Sequence, residues 1–145
     1  MKINFKKLNE KAEIPVYGSE YSAGADLKAC IDHEIVLFPG KSDIIPTGIA
    51  CEIPEGFFGM VCSRSGLSAK SGIVVLNSPG IIDADYRGEL KLIMINHSEK
   101  EFVIENGMRL AQLIIVPFQK AEWSEVEALS ESARGQGGIG STGIR

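Results

Sequence analysis

Short apolar segments rich in β-branched residues recur along the chain, and glycine, proline or asparagine stands beside most of them. Such segments are typical of β-strands, and helical periodicity is hard to find. Residues 67–71 could form one short helical turn, whereas residues 122–132 are polar and fit neither pattern. Many short strands with glycine and proline between them favour an all-β sandwich, jelly roll or barrel. The candidate strands are residues 35–38, 44–45, 48–53, 57–62, 73–76, 90–95, 102–104 and 110–118.

Composition limits what such a chain can do. Its 145 residues are 44% hydrophobic and 23% charged, which suits one globular domain with a buried core. Lys and Arg total 15 against 19 Asp and Glu, a formal net charge of -4, so a nucleic-acid partner is not expected. A small anionic ligand remains compatible with this balance, because a few local arginines suffice to bind it.

Cysteine usage and hydropathy indicate the compartment. Neither a leader segment nor an apolar run of membrane-spanning length is visible, so we expect a cytoplasmic protein with no membrane partner. The three cysteines lack C-x-x-C spacing, which predicts free thiols rather than disulfides or a zinc site.

One run, Gly80 to Glu89, holds two aspartates, a phenol and a guanidinium between two apolar segments. A turn between buried strands needs only glycine, asparagine or aspartate, so this run carries more chemistry than a chain reversal requires. The chain has no Ser-His-Asp or histidine-rich spacing, which leaves a carboxylate as the plausible general base. Asp83 is the best placed, whereas Asp85 and Arg87 are assigned to structural pairing.

Three other segments could contribute polar groups. Asp26 follows small residues that would let the backbone approach a ligand closely, although an acid there is also typical of a turn or cap. The segment 63–70 ends a strand, so either its amides, hydroxyls and Arg64 converge on phosphate, or Ser65 is a helix N-cap and Arg64 a solvated charge. Asn77 precedes a Pro-Gly pair and either makes a turn or reads a base edge through its amide.

The last two segments lie near the C-terminus. Strand alternation places Arg109 and Gln112 on opposite faces, so that one of them, for example Arg109, could pair a buried acid while Gln112 faces a ligand. Residues 134–143 include five glycines and are either a floppy terminus or a flap that closes over a polyanion. The match of residues 135–140 to G-x-G-x-x-G lacks the strand and helix that a dinucleotide site requires.

Together, these segments resemble the five sequence motifs of the trimeric dUTPases, in the right order and over almost the whole chain. The motifs correspond to residues 23–27, 63–70, 77–91, 107–113 and 134–143. The resemblance implies an all-β, jelly-roll or β-barrel-like subunit with at most one short helix, assembled as a homotrimer with active sites at subunit interfaces. Residues 1–130 would form the β-domain, and residues 131–145 a glycine-rich flap that closes over the active site.

The resemblance also implies that dUTP is cleaved to dUMP and pyrophosphate with Mg²⁺, which limits uracil incorporation into DNA and supplies dUMP for dTMP synthesis. Asp83 would activate the water that attacks the α-phosphorus, Gln112 would assist at the phosphates, and Asp26 would touch the metal through water. Tyr86 would pack under the deoxyribose and reject a 2′-hydroxyl. The other expected substrate contacts are Asn77, Ile81, Ile82 and Lys91 at the nucleoside, Arg64, Ser65 and Gly66 at the phosphates, and Arg134, Ile139, Ser141 and Thr142 in the flap.

Two rival functions fit the same scaffold. A dCTP deaminase of this fold requires a glutamate in the strand after the third motif, and residues 92–95 offer no acid. A non-catalytic nucleotide sensor or protein-binding module would bind dUTP without turnover, although the intact Asp83 and phosphate-binding set argue against it.

Two positions depart from the family pattern. Ser63 stands where the second motif usually begins with proline, and we expect a small change in local rigidity. Ile139 stands where the fifth motif usually carries phenylalanine, whose ring would stack on uracil. Isoleucine covers the base without aromatic stacking, so a weaker flap and a higher KM are expected, with the chemistry intact.

The substitution Ile139→Phe should therefore lower the KM for dUTP and raise kcat/KM at nearly constant kcat. Base stacking on an aromatic ring contributes about 1–3 kcal/mol, so an effect of about tenfold is expected. Steady-state kinetics with dUTP measure it, and an unchanged kcat/KM would contradict the idea.

Overall fold

The computed structural model describes residues 1–138, so the predicted flap residues Ile139, Ser141 and Thr142 lie outside the described part of the chain. Within it are twelve strands and one helix. The strands are β1 Asn4–Lys7, β2 Val16–Tyr17, β3 Ala25–Lys28, β4 Ile35–Leu37, β5 Ser42–Pro46, β6 Ile49–Glu52, β7 Phe57–Ser63, β8 Ile73–Val75, β9 Gly80–Ile82, β10 Lys91–Asn96, β11 Phe102–Ile104 and β12 Arg109–Pro117, and the helix is α1 Ser65–Ser71.

The strands form four antiparallel sheets. The largest has the order β2-β3-β12-β7-β9, and a second has the order β5-β10-β8. Two further pairs join β1 to β6 and β11 to β4. Most neighbours in these sheets are distant in sequence, so the sheets bring together segments that local pattern cannot connect. The prediction of an all-β fold with at most one short helix is confirmed for residues 1–138.

Each predicted strand segment overlaps an observed strand, and residues 67–71 lie in α1. Four strands were not predicted, namely β1, β2, β3 and β9. β1 and β2 are fully exposed and so carry no apolar pattern, while β3 was interpreted as small residues beside a turn. The run that begins at Gly80 was interpreted as a turn, but its first three residues form β9, which pairs with β7. Gly80 is buried there against Val61, where a larger residue would be crowded.

Buried side chains from all four sheets form the core, including Ile49 of β6 and Ile104 of β11 from the two smaller ones. Along β10 the even-numbered residues Leu92, Met94 and Asn96 are buried, while the odd-numbered residues are more exposed. Each fully buried aliphatic side chain contributes about 1.5–3 kcal/mol relative to an exposed one. Among residues 1–138, no helix is long and apolar enough to cross a membrane.

Asn96 is a buried polar residue that the apolar pattern of β10 does not reveal. Its Nδ2 donates to the carbonyl oxygens of Leu37 at 2.8 Å and Lys100 at 2.7 Å. Its Oδ1 accepts from the backbone N–H of Ser98 at 2.8 Å and from the Ser98 hydroxyl, also at 2.8 Å. One amide therefore connects the end of β10 to β4 and to the following turn.

The substitution Asn96→Ala should destabilise the fold by about 3 kcal/mol, because it leaves several buried polar groups without partners. Urea unfolding monitored by circular dichroism measures the change. Ser98→Ala is the matched control, since it removes one hydroxyl and should cost under about 1.5 kcal/mol. Equal stability of Asn96→Ala and the unmodified protein would refute the role assigned to this amide.

Candidate active site

A cluster of charged and polar side chains lies where β3, β12 and β7 run side by side. Asp26 on β3 is its centre, with a side chain that is only 15% exposed. Its Oδ1 lies 2.9 Å from Nε of Arg64, and its Oδ2 lies 3.2 Å from Nη1 of Arg109. The Arg64 Nη1 also donates to the Arg109 carbonyl oxygen at 3.0 Å. We call Asp26, Arg64, Arg109 and Gln112 the Asp26 cluster.

The prediction that Arg109 and Gln112 lie on opposite faces is wrong. A β-bulge interrupts β12, because Arg109 pairs with Lys28 while Ala111 pairs with Leu27. The extra residue, Leu110, shifts the alternation by one position, so that Gln112 pairs with Asp26 and shares its face with Arg109. Arg109 does pair a largely buried acid, Asp26, as the sequence suggested by way of example.

Gln112 is held at the cluster by its neighbours. Its Nε2 donates to the carbonyl oxygen of Ser63 at 3.1 Å, and Gly24 lies against the opposite end of the amide. A Cβ on Gly24 would stand 2.5 Å from Gln112 Oε1, so only glycine leaves room for this arrangement. The small residues before Asp26 were the signal in the sequence for this close approach.

Helix α1 begins beside the cluster. Its N-cap is Arg64, with extended backbone at φ -89 and ψ 125, so Ser65 is the first helical residue and not the cap. Arg64 is also not a solvated charge, because both Asp26 and the Arg109 carbonyl bind its guanidinium. Ser65 and Gly66 are exposed, and the first amides of a helix have no partner within the helix. These amides are therefore available to an anion.

Ser63 connects the cluster to the next pair of strands. Its hydroxyl accepts a hydrogen bond from the backbone N–H of Val75 at 2.8 Å, which ties β7 to β8. Its own N–H points to the Ser78 hydroxyl at 3.4 Å, a donor that proline would lack. The expected change in rigidity at this position stays a prediction.

The nucleoside residues predicted from the third motif lie on and around β9. Asn77 is in the turn between β8 and β9, which includes a cis peptide bond between Ser78 and Pro79, and its amide packs against Gly80. Ile81 is half-exposed and Ile82 partly buried, so β9 presents both backbone and apolar side chains. Lys91 is exposed at the start of β10, with Nζ 3.8 Å from Glu89 Oε2.

A β-turn follows β9 and carries Asp83, the predicted general base. The Tyr86 N–H donates to the Asp83 carbonyl oxygen at 3.1 Å, and the Asp83 side chain is exposed. The Tyr86 ring folds back over Gly88, where a Cβ would lie 2.4 Å from the phenol oxygen. The phenol donates to the Glu89 carbonyl oxygen at 2.9 Å. Glycine at position 88 therefore leaves room for the ring in this position.

The cysteines and the tail arginine lie outside the Asp26 cluster. Burial raises the pKa of the Cys30 and Cys51 thiols, so both stay protonated at neutral pH, and all three cysteines are free. In the described part of the chain, no three His, Cys, Asp or Glu side chains group as metal ligands. Arg134 is exposed, and its Nε donates to the Gly137 carbonyl oxygen at 2.7 Å within the tail.

The structure is an antiparallel β-protein in which two arginines pair with one largely buried aspartate. Residues 10–143 match the family model for dUTPase. A deoxyuridine 5′-triphosphate nucleotidohydrolase of Rickettsia bellii is 50% identical over 143 residues, spanning 98% of this chain and 95% of the relative. One from Rhizobium etli is 53% identical over 137 residues, spanning 93% and 88%. The chain belongs to the dUTPase family.

Solved structures of phage dUTPases have the same fold. A mutant dUTPase of Staphylococcus bacteriophage 80alpha superposes with a TM-score of 0.88 at 31% identity, covering 97% of this chain and 98% of the phage chain. The 80alpha enzyme with dUpNHpp gives a TM-score of 0.86 at 31% identity, covering 99% of both chains. A phi11 dUTPase mutant with a structural Mg(II) ion gives 0.82 at 29% identity, covering 90% and 100%.

The substitution Gly24→Ala should displace the Gln112 amide and lower kcat/KM at least tenfold, because a Cβ would overlap Oε1. Gly18→Ala is the matched control, since the nearest atom to its Cβ would be at 3.8 Å. Kinetics with dUTP and a thermal melt of both variants measure the effects. A Gly24→Ala variant that keeps full activity would show that the amide position is unimportant.

Proposed function

We propose that the protein hydrolyses dUTP to dUMP and pyrophosphate through attack of water on the α-phosphorus. The Asp26 cluster is the observation that carries this proposal. Two arginines held by one carboxylate, beside a fixed amide and free helix amides, provide the directed donors that phosphate oxygens require. Membership in the dUTPase family, and an 80alpha relative solved with dUpNHpp, support the same substrate.

We further propose that the site is shared between subunits of a homotrimer, and the geometry of β7 is the reason. Ile82 pairs with Gly59 and Asp83 follows it, whereas Arg64 follows the opposite end of β7. The span from Gly59 to Arg64 is about 17 Å at ~3.3 Å per residue. A nucleotide whose base lies along β9 and whose α-phosphate meets Asp83 directs its phosphates away from the Arg64 of the same chain. This geometry supports the proposal that the Asp26 cluster of another subunit binds them.

At the nucleoside end, each expected residue has a defined task. The Asn77 amide and the backbone at Ile81 and Ile82 read the uracil edge, because fixed donors and acceptors reject a base that leaves them unpaired. Lys91 lies on the adjoining strand. Tyr86 packs under the deoxyribose and excludes a 2′-hydroxyl by contact. Asp83 accepts a proton from the attacking water and holds it in line with the α-phosphorus.

At the phosphate end, Arg64, Gln112 and the amides of Ser65 and Gly66 bind oxygen atoms and neutralise their charge. Arg109 acts through Asp26, which it helps to hold. We assign residues 1–130 to the β-domain and residues 131–145 to a flap. Arg134, Ile139, Ser141 and Thr142 in that flap would close over the base and the terminal phosphate and exclude water.

The residues of the Asp26 cluster could hold Mg²⁺ through water molecules bound to the ion. Both oxygens of Asp26 are occupied by arginines, so this carboxylate suits a contact through metal-bound water better than direct coordination. The phosphates themselves would supply the direct oxygen ligands, since Mg²⁺ commonly keeps several waters and few protein ligands. When bound, the ion neutralises phosphate charge and helps to orient the chain of phosphates.

The rival functions receive less support from the described residues. Leu92 and Met94 on β10 are buried, and Ile93 and Ile95 complete the strand, so no carboxylate stands there for dCTP deamination. A binding module without turnover would not need the exposed Asp83 beside β9. We place the reaction in the cytoplasm, where it would limit uracil incorporation into DNA and supply dUMP for dTMP synthesis.

Incubation with dUTP, dCTP, dTTP and UTP in the presence of Mg²⁺ should release pyrophosphate from dUTP alone. Assays for pyrophosphate and ammonia follow the products. Asp83→Asn should bind dUpNHpp with nearly unchanged affinity, and its kcat should fall about 10²–10⁴-fold, because the general base is lost. Ammonia from dCTP, or no product from any nucleotide, would rule out the proposed reaction.

The shared site predicts complementation between two inactive variants. Arg64→Ala and Asp83→Asn, refolded together in equal amounts, should regain about a quarter of normal activity, since three quarters of random trimers are mixed and each has one intact site. Each variant refolded alone is the control. A mixture as inactive as its components would argue that both halves of the site come from one chain.

A further inference from the structure

Arg87 does more than form an ion pair, because it also donates two hydrogen bonds to the turn that carries Asp83. Its Nη1 donates to the Ala84 carbonyl oxygen at 2.6 Å and to the Tyr86 carbonyl oxygen at 3.0 Å. These two oxygens belong to the middle and the end of the turn that begins at Asp83. One nitrogen therefore ties the peptide group after Ala84, inside the turn, to the peptide group that directly follows Tyr86.

The other side of the guanidinium is attached to a different sheet. Arg87 Nη2 donates to Glu52 Oε1 at 3.3 Å, and Asn4 Nδ2 donates to Glu52 Oε2 at 3.0 Å. Asn4 and Glu52 are direct cross-strand partners on β1 and β6. The loop after β9 is thus connected to a strand pair that carries none of the proposed site residues.

The charge state of Glu52 suits this connection. The hydrogen bond from Asn4 and the nearby Arg87 charge hold the pKa of Glu52 below its usual range, so it remains an acceptor at neutral pH. The Arg87 and Glu52 side chains are 54% and 51% exposed, and exposed ion pairs contribute little to folding stability. What this pair provides is orientation, because a planar guanidinium has fixed donor directions.

We propose that Arg87 is a positioning residue for dUTP hydrolysis: it fixes the Asp83–Tyr86 turn through the carbonyl oxygens of Ala84 and Tyr86, while Glu52 and Asn4 fix Arg87. The inference rests on the proposed function and deepens it. Asp83 must hold water in line with phosphorus, and Tyr86 must crowd the 2′ position of the sugar. A turn that relaxes without Arg87 impairs both tasks together, although Arg87 touches neither water nor sugar.

The test compares Arg87→Ala with Lys2→Ala, which removes an exposed positive charge from the same surface depression but has no side-chain hydrogen bond or ion pair to the turn at residues 83–86. Arg87→Ala should lower kcat for dUTP about tenfold, since small misplacements of a catalytic group cost one to two orders of magnitude. The ratio of kcat/KM for dUTP to that for UTP should also fall several-fold. The Kd for dUpNHpp should change less than about threefold, and Lys2→Ala should leave all three values unchanged.

A merely structural role predicts a different pattern. Partial unfolding lowers the active fraction for dUTP and UTP alike, so an unchanged dUTP-to-UTP ratio in Arg87→Ala would overturn the proposal. Added guanidinium ion at non-denaturing concentration should restore part of the kcat and of the ratio if orientation of the turn is what was lost. If Arg87→Ala does not fold, Glu52→Ala provides the same readouts and should give a smaller loss in the same direction.

Failure of the proposed reaction would be recognised separately. If the unmodified protein releases no pyrophosphate from dUTP, the proposed function is wrong whatever Arg87 does. The Kd values for dUpNHpp and for its ribose counterpart would then test through binding alone whether Arg87 fixes the Asp83–Tyr86 turn. Loss of the preference for deoxyribose in Arg87→Ala would support this positioning role, and a retained preference would refute it.

Discussion

The pairing of β12 with both β3 and β7 is the constraint on which the rest of the site depends. Strand β12 is the central strand of the five-stranded sheet, and its partners β3 and β7 lie far from it in sequence. This pairing sets Gln112 beside Asp26 and brings the end of β7, with Arg64, to the same place. An acid near the start of the chain and arginines from two later segments become one cluster only because backbone hydrogen bonds fix the register of these strands.

Much of the fold follows from residue pattern. Apolar β-branched segments between glycine and proline predicted most of the strands, because strands with a buried face leave that signature in sequence. β1 and β2 were missed because both are exposed, and β9 was missed because buried Gly80 resembles a turn residue. Packing against neighbours, which decides such positions, is not visible in a single segment.

The candidate site was predicted in part. Residue types that bind phosphate, and the resemblance of the five segments to a family, indicated which residues belong to it. The bulge that turns Arg109 toward Asp26 was not predictable, since strict alternation gives the opposite result. The amide network of Asn96 and the contacts of Arg87 were equally hidden, because each joins elements that are far apart in sequence.

The length of β7 has a consequence for how the protein responds to dilution. This strand separates the proposed phosphate-binding residue Arg64 from the proposed water-activating residue Asp83 by about 17 Å at ~3.3 Å per residue. Under the proposed sharing, an isolated chain has two half-sites and no whole one. Specific activity would then depend on protein concentration near the dissociation constant of the assembly, so that subunit association becomes part of the rate law.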